Sequence, residues 1–89
     1  MTVARDVLIA NRRGLHARAS AKFVTLAAQQ ALPVQVAKGG STVTGTSIMG
    51  LMMLGAAMGD TITISATGDE AEGVVATMCE LVEAKFGED

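Results

Sequence analysis

Thr61-Ile62-Thr63-Ile64-Ser65-Ala66 alternates hydroxylic and apolar side chains between two turn signals, Gly59-Asp60 and Gly68-Asp69. A period of two puts Ile62, Ile64 and Ala66 on one face, the pattern of a strand with one buried side. Such a strand needs partners at its edges and an apolar layer against its inner face, so what flanks it decides the fold.

Upstream, Ile48 to about Leu54 reads as a short helix, with Ser47 able to accept a backbone N–H at its start and Gly55 suited to its end. Before it, Val43 within Ser41-Thr42-Val43-Thr44 supplies a short strand that Gly45 breaks, and Gly39-Gly40 is a hairpin turn. Val34 and Val36 around Gln35 give the strand on the other side of that turn. Pro33 separates this strand from a helix over about Ala17–Ala28, where Ala19, Phe23, Leu26 and Ala27, then Gln30, recur with helical spacing. Val3, Val7 and Ile9 mark a first strand, interrupted by Arg5 and ending near Ala10. Downstream, Asp69 and Glu72 have capping-box spacing, and Val74, Met78, Leu81 and Val82 share one face of a last helix reaching about Lys85. The order βαββαβα predicts an α+β fold with three helices on one face of a four-stranded antiparallel sheet.

Eighty-nine residues suit a single domain over 1–89, able to hide somewhat more than ~60% of its unfolded surface. With 49% hydrophobic residues, two Phe and no Trp or Tyr, the core must be aliphatic. A net charge of −2 and a pI near 5.2 give no general attraction to nucleic acid or anionic lipid. Charge is nevertheless segregated. Arg5, Arg12, Arg13, Arg18 and Lys22 make the first quarter basic, and Glu70, Glu72, Glu80, Glu83, Glu88 and Asp89 make the last quarter acidic. Cys79 is the only cysteine and reads as a packing thiol; with no signal peptide and no long apolar span, a cytoplasmic protein without membrane insertion is expected. One His and one distant Cys make no metal-ligand set, and Lys38-Gly39-Gly40 lacks the spacing of a phosphate loop, so neither metal nor cofactor is expected.

The stretch Arg12-Arg13-Gly14-Leu15-His16-Ala17-Arg18-Ala19-Ser20 holds the chain's one histidine. His16 falls at or just before the start of the first helix, where unpaired N–H groups of Ala17 and Arg18 and a partial positive charge favour a phosphate. The Arg18 side chain adds a planar cationic donor. A nucleophilic ring nitrogen beside an anion site suits covalent carriage of a phosphoryl group; the plainer alternative is a capping or surface histidine. In the short helix, Ile48, Met49, Leu51, Met52, Met53 and Leu54 are too many apolar residues for one face, which predicts Leu51 and Leu54 in the core and Ile48, Met49 and Met52 on the surface.

Gly14-Leu15-His16-Ala17-Arg18 resembles the phosphorylation motif of HPr, the histidine-containing phosphocarriers of the bacterial phosphoenolpyruvate phosphotransferase system. Thr46-Ser47-Ile48-Met49-Gly50-Leu51-Met52-Met53-Leu54-Gly55 resembles the regulatory-serine region of the same family. The resemblance implies an open-faced sandwich with strand order 1-4-2-3. It further implies that His16 is phosphorylated on Nδ1 by enzyme I, with phosphoenolpyruvate as donor, and passes the group to an enzyme IIA component. The chain would thus be a carrier and not an autonomous enzyme. Ser47 then corresponds to the target of HPr kinase/phosphorylase, although Thr46 stands where Lys is frequent. Ile48, Met49 and Met52, with Ser20 and Phe23, form the expected partner-binding set, and a monomer is expected. Ala19 departs from the Pro usual after the Arg, with function retained and phosphohistidine lifetime altered as the expected outcome. Two alternatives remain open at this point: a regulatory, nitrogen-type component not coupled to sugar uptake, and a pure protein-interaction module.

Overall fold

The computed structural model describes residues 1–88, so Asp89, counted above with the acidic end, lies outside the described residues. The elements are β1 Thr2–Leu8, α1 Ala17–Ala28, β2 Gln35–Lys38, β3 Ser41–Thr44, α2 Ile48–Met53, β4 Thr61–Thr67 and α3 Ala71–Glu83, followed by a single turn at Lys85–Gly87. The four strands form one antiparallel sheet in the order β1-β4-β2-β3, with the helices over one face of an open sandwich. β4 is its centre, pairing with β1 on one side and β2 on the other.

Register explains why the alternation in β4 is so clean. Ile62 lies opposite Val7, Ala66 opposite Val3, and Ile64 between Arg5 and Val36, while Val36 continues to Val43 on β3. Ile62, Ile64 and Val36 are fully buried. Arg5 shares that inner row but stands on the edge strand, where a long side chain can carry its charge out to water and remain exposed. α3 lies across β1 and β4, while α1 packs against α2 and α3. Phe23, Leu51, Val75, Met78, Cys79 and Val82 fill the space between the layers.

Four boundaries differ from the sequence expectation; β1 ends at Leu8 and not near Ala10, because Ile9 bonds the loop at Gly59 and Asp60 beyond the ladder. Val34 precedes β2, yet it is buried and its carbonyl accepts from Gly45 N at 2.7 Å, which closes the hairpin beyond the ladder. The Asp69–Glu72 capping box does not form. Glu70 occupies the cap position without a side-chain cap bond, which places Gly73, lacking a side chain, three residues on; the Ala71 N–H instead meets Gly68 O at 3.2 Å. The last helix ends at Glu83 instead of near Lys85, because Lys85, Phe86 and Gly87 turn with φ of +58°, +55° and +75°. Two of these are bulky residues in the left-handed region, a cost of about 1–2 kcal/mol each. Phe86, 1% exposed, offsets much of it by burying its ring in the core.

Candidate functional site

The loop from Asn11 to Leu15 is held by backbone. Leu15 N donates to Ala56 O at 2.9 Å, and Ile9 exchanges bonds with Gly59 and Asp60 at 2.8 Å. Gly14 sits at φ +63° so close to the neighbouring segment that an added Cβ would lie 2.3 Å from Ala56 O. Only glycine permits this approach. The chain is thereby delivered to α1 with His16 as the N-cap, at φ −75° and ψ −178°.

His16 O accepts the first helical bond from Ser20 N at 2.9 Å. Its ring is held at both nitrogens: Nδ1 accepts from Arg18 N at 3.3 Å, and Nε2 lies 2.7 Å from Glu88 Oε2. A carboxylate only accepts, so Nε2 carries the hydrogen and, in the neutral ring, Nδ1 keeps its lone pair. That lone pair faces the helix N-terminus.

Glu88 is fixed in turn. Its Oε1 accepts from Asn11 Nδ2 at 3.1 Å, and the same Nδ2 donates to Gly14 O at 2.9 Å. Lys22 Nζ donates to Phe86 O at 2.7 Å and pins the turn that carries it. Desolvation pushes the Glu88 carboxyl upward, but hydrogen bonds from Asn11 and His16, with the nearby charges of His16 and Lys22, outweigh it and hold the group below its ordinary 4.5. The group is therefore ionised at neutral pH.

The imidazole is largely covered, its side chain only 15% exposed where the Glu88 carboxylate meets it. Ala17, Arg18, Arg12 and Arg13 are exposed around it. Ser20 and Phe23 are not available to a partner, because both are fully buried. Ser20 Oγ donates to Leu15 O at 3.2 Å and Phe23 fills the core, so each supports the loop from inside. Ser47 caps α2 as expected, its Oγ accepting from Gly50 N at 2.9 Å. Leu51 and Leu54 are buried, while Ile48, Met49 and Met52 are exposed together with Met53. Asn11, Lys22 and Glu88 went unread in this role, and no spacing rule connects Glu88 to a histidine 72 residues away.

A family model described as the PTS HPr component phosphorylation site matches residues 3–84. The phosphocarrier protein HPr of Neisseria meningitidis serogroup B is 48% identical over 85 residues, 94% of each chain. The phosphocarrier protein NPr of Shewanella violacea is 39% identical over 84 residues, 94% of this chain and 92% of that one. Among solved structures, HPr-C-His from Thermoanaerobacter tengcongensis superposes with a TM-score of 0.90 at 38% identity and 98% coverage of both chains. Fold, site and relatives define a phosphoryl carrier, a protein that forms a phosphohistidine intermediate without being an enzyme in its own right. The chain belongs to the HPr family of the bacterial phosphotransferase system. It is an HPr-type phosphocarrier that takes a phosphoryl group from enzyme I and delivers it to an enzyme IIA component.

Ala19 bears on the family motif directly. It occupies the first turn of α1, where an N–H has no intrahelical partner, so Ala19→Pro removes a donor without breaking a helical bond. Ala19→Pro is expected to accept phosphate as the parent does, with a shortened phosphohistidine lifetime because one unpartnered N–H is gone from the helix end beside the proposed acceptor. Hydrolysis of the isolated phosphoprotein, followed by intact mass, checks this.

Proposed function

We propose that His16 Nδ1 is the phosphoryl acceptor. The observation that carries this reading is the pairing of Glu88 with Nε2, which leaves the lone pair on Nδ1 at the head of α1. Nδ1 attacks the phosphorus carried by enzyme I; its N–P bond forms as the donor's bond to phosphorus breaks. The incoming oxygens then take over the Arg18 N–H that points at Nδ1 in the free protein, with the Ala17 N–H beside it. The exposed Arg18 guanidinium adds a screened cation. Such support is moderate, with a helix end contributing about 0.3–1 kcal/mol, and suits a group that must leave again.

Incubation with enzyme I and phosphoenolpyruvate tests this reading. One acid-labile phosphate is expected, mapped to His16; an adduct on Ser47 alone overturns it. Glu88→Ala is expected to slow acceptance about fivefold, because the ring loses the bond that fixes its tautomer. Ring 15N shifts should show a smaller Nε2–H fraction. Because Glu88 is held below its ordinary value, its contribution to stability is complete above 4.5 and is lost as pH falls through the folded-state value. Thermal melts of Glu88→Ala and parent should therefore converge on the acid side.

Ser47 is proposed as a second phosphorylation site, for HPr kinase/phosphorylase. Its hydroxyl caps α2 next to Ile48, Met49 and Met52, the patch proposed to dock enzyme I and IIA components. Phosphate there suits the helix end but puts charge and water beside the apolar contact. Ser47→Asp keeps a capping side chain and is expected to raise the apparent KM of enzyme I for the carrier about tenfold. Kinase plus ATP, with phosphate mapped to Ser47, tests the modification itself.

The carrier is further proposed to act as a monomeric single domain over 1–89 in the cytoplasm; no helix among the described residues is long and apolar enough to cross a membrane. Similarity to the Shewanella protein named NPr favours a second reading, a nitrogen-type relay not coupled to sugar uptake. Comparing phosphate delivery to sugar-type and nitrogen-type IIA acceptors separates the two.

A further inference from the structure

Six methionines occur in the chain, and three lie on α2 with their side chains in water. Met49, Met52 and Met53 are 72%, 43% and 80% exposed. Their i, i+3, i+4 spacing gathers the thioethers into one stripe on the outer face of the helix. The core needs nothing from them, since Leu51 and Leu54 anchor α2. Leucine would offer the same apolar area, whereas a thioether adds a sulfur lone pair open to oxidants. Cys79, the one thiol that would compete for an oxidant, is fully buried, and burial pushes its pKa up and suppresses thiolate.

We propose that Met49, Met52 and Met53 form a reversible oxidation site that regulates docking at α2 under peroxide stress. The inference rests on the reading of this helix as the partner patch. The reaction takes one hydrogen peroxide per sulfur: the lone pair attacks one peroxide oxygen, the S–O bond forms as O–O breaks, and sulfur gives up two electrons. The departing oxygen takes the proton of the transferred one and leaves as water. Each sulfoxide turns an apolar contact into a strong dipole that must be desolvated on docking, and thiol-driven sulfoxide reductases reverse the change.

The test treats the whole protein with hydrogen peroxide, removes the oxidant, maps the sulfoxides by peptide mass and measures acceptance from enzyme I. Met49, Met52 and Met53 should oxidise while buried Met78 stays intact as an internal control. The apparent KM should rise about tenfold with kcat and Tm little changed, and sulfoxide reductase should restore it. The triple leucine variant, compared with its own untreated sample, should show no further rise. A rise of the same size in that variant overturns the proposal. Met49→Asp, measured without oxidation, isolates the docking reading. If it raises KM and sulfoxides do not, oxidation control is wrong and the patch stands; if Met49→Asp changes nothing, the patch reading falls and takes the inference with it.

Discussion

His16→Ala should take no phosphate from enzyme I and phosphoenolpyruvate, a loss complete within detection and not a matter of degree. The chain has no second histidine to substitute, and Ser47, the other proposed phosphorylation site, offers a hydroxyl of far higher pKa with no base beside it that the structure records. The variant should remain folded. It loses a cap acceptor at the head of α1, worth about 0.5–2 kcal/mol, and leaves Glu88 with its bond from Asn11. Intact mass after incubation and a thermal melt separate loss of chemistry from loss of fold. A variant that accepts no phosphate yet keeps every cellular activity would point instead to an interaction module.

Gly14→Ala should be the most destabilising single methyl in the loop. The new Cβ meets Ala56 O at 2.3 Å and Ala57 Cα at 2.8 Å, both backbone atoms that cannot swing aside, and the residue must hold φ +63°. Left-handed strain of about 1–2 kcal/mol adds to the clash, for a total of about 3 kcal/mol or more. In a chain of this size the melting temperature should fall by about 12 °C or more. Acceptance should fall with it even below the melt, since relieving the clash pulls Leu15 from Ala56 and turns His16 off the head of α1. Differential scanning calorimetry and initial rates with enzyme I check the two effects separately.

How much of this was legible in the sequence depends on the range of each interaction. β4 announced itself because Ile62, Ile64 and Ala66 are buried and their neighbours are not. α1 was readable at both ends, since its apolar spacing and the Gly14 turn are local features. The α2 partition was legible for a similar reason: a short helix cannot bury all of its apolar residues. Strand order came only through family resemblance, because periodicity records faces and not neighbours. Glu88 could not be read at all. Its carboxylate reaches His16 through a reversal at Lys85 and Phe86, whose left-handed geometry is tolerated only because the Phe86 ring finds a place in the finished core. Ser20 and Phe23 failed as partner residues for the opposite reason: proximity to His16 in sequence says nothing about which side of α1 faces inward.

The turn at Lys85–Gly87 couples Glu88 to the ring proposed to carry the phosphoryl group. A substitution that straightens residues 85–87 would draw the Glu88 carboxylate away from His16 and alter the very rate under measurement. Kinetic work on this carrier should therefore leave Lys85, Phe86, Gly87 and Glu88 unaltered, since all four serve the ring 72 residues earlier.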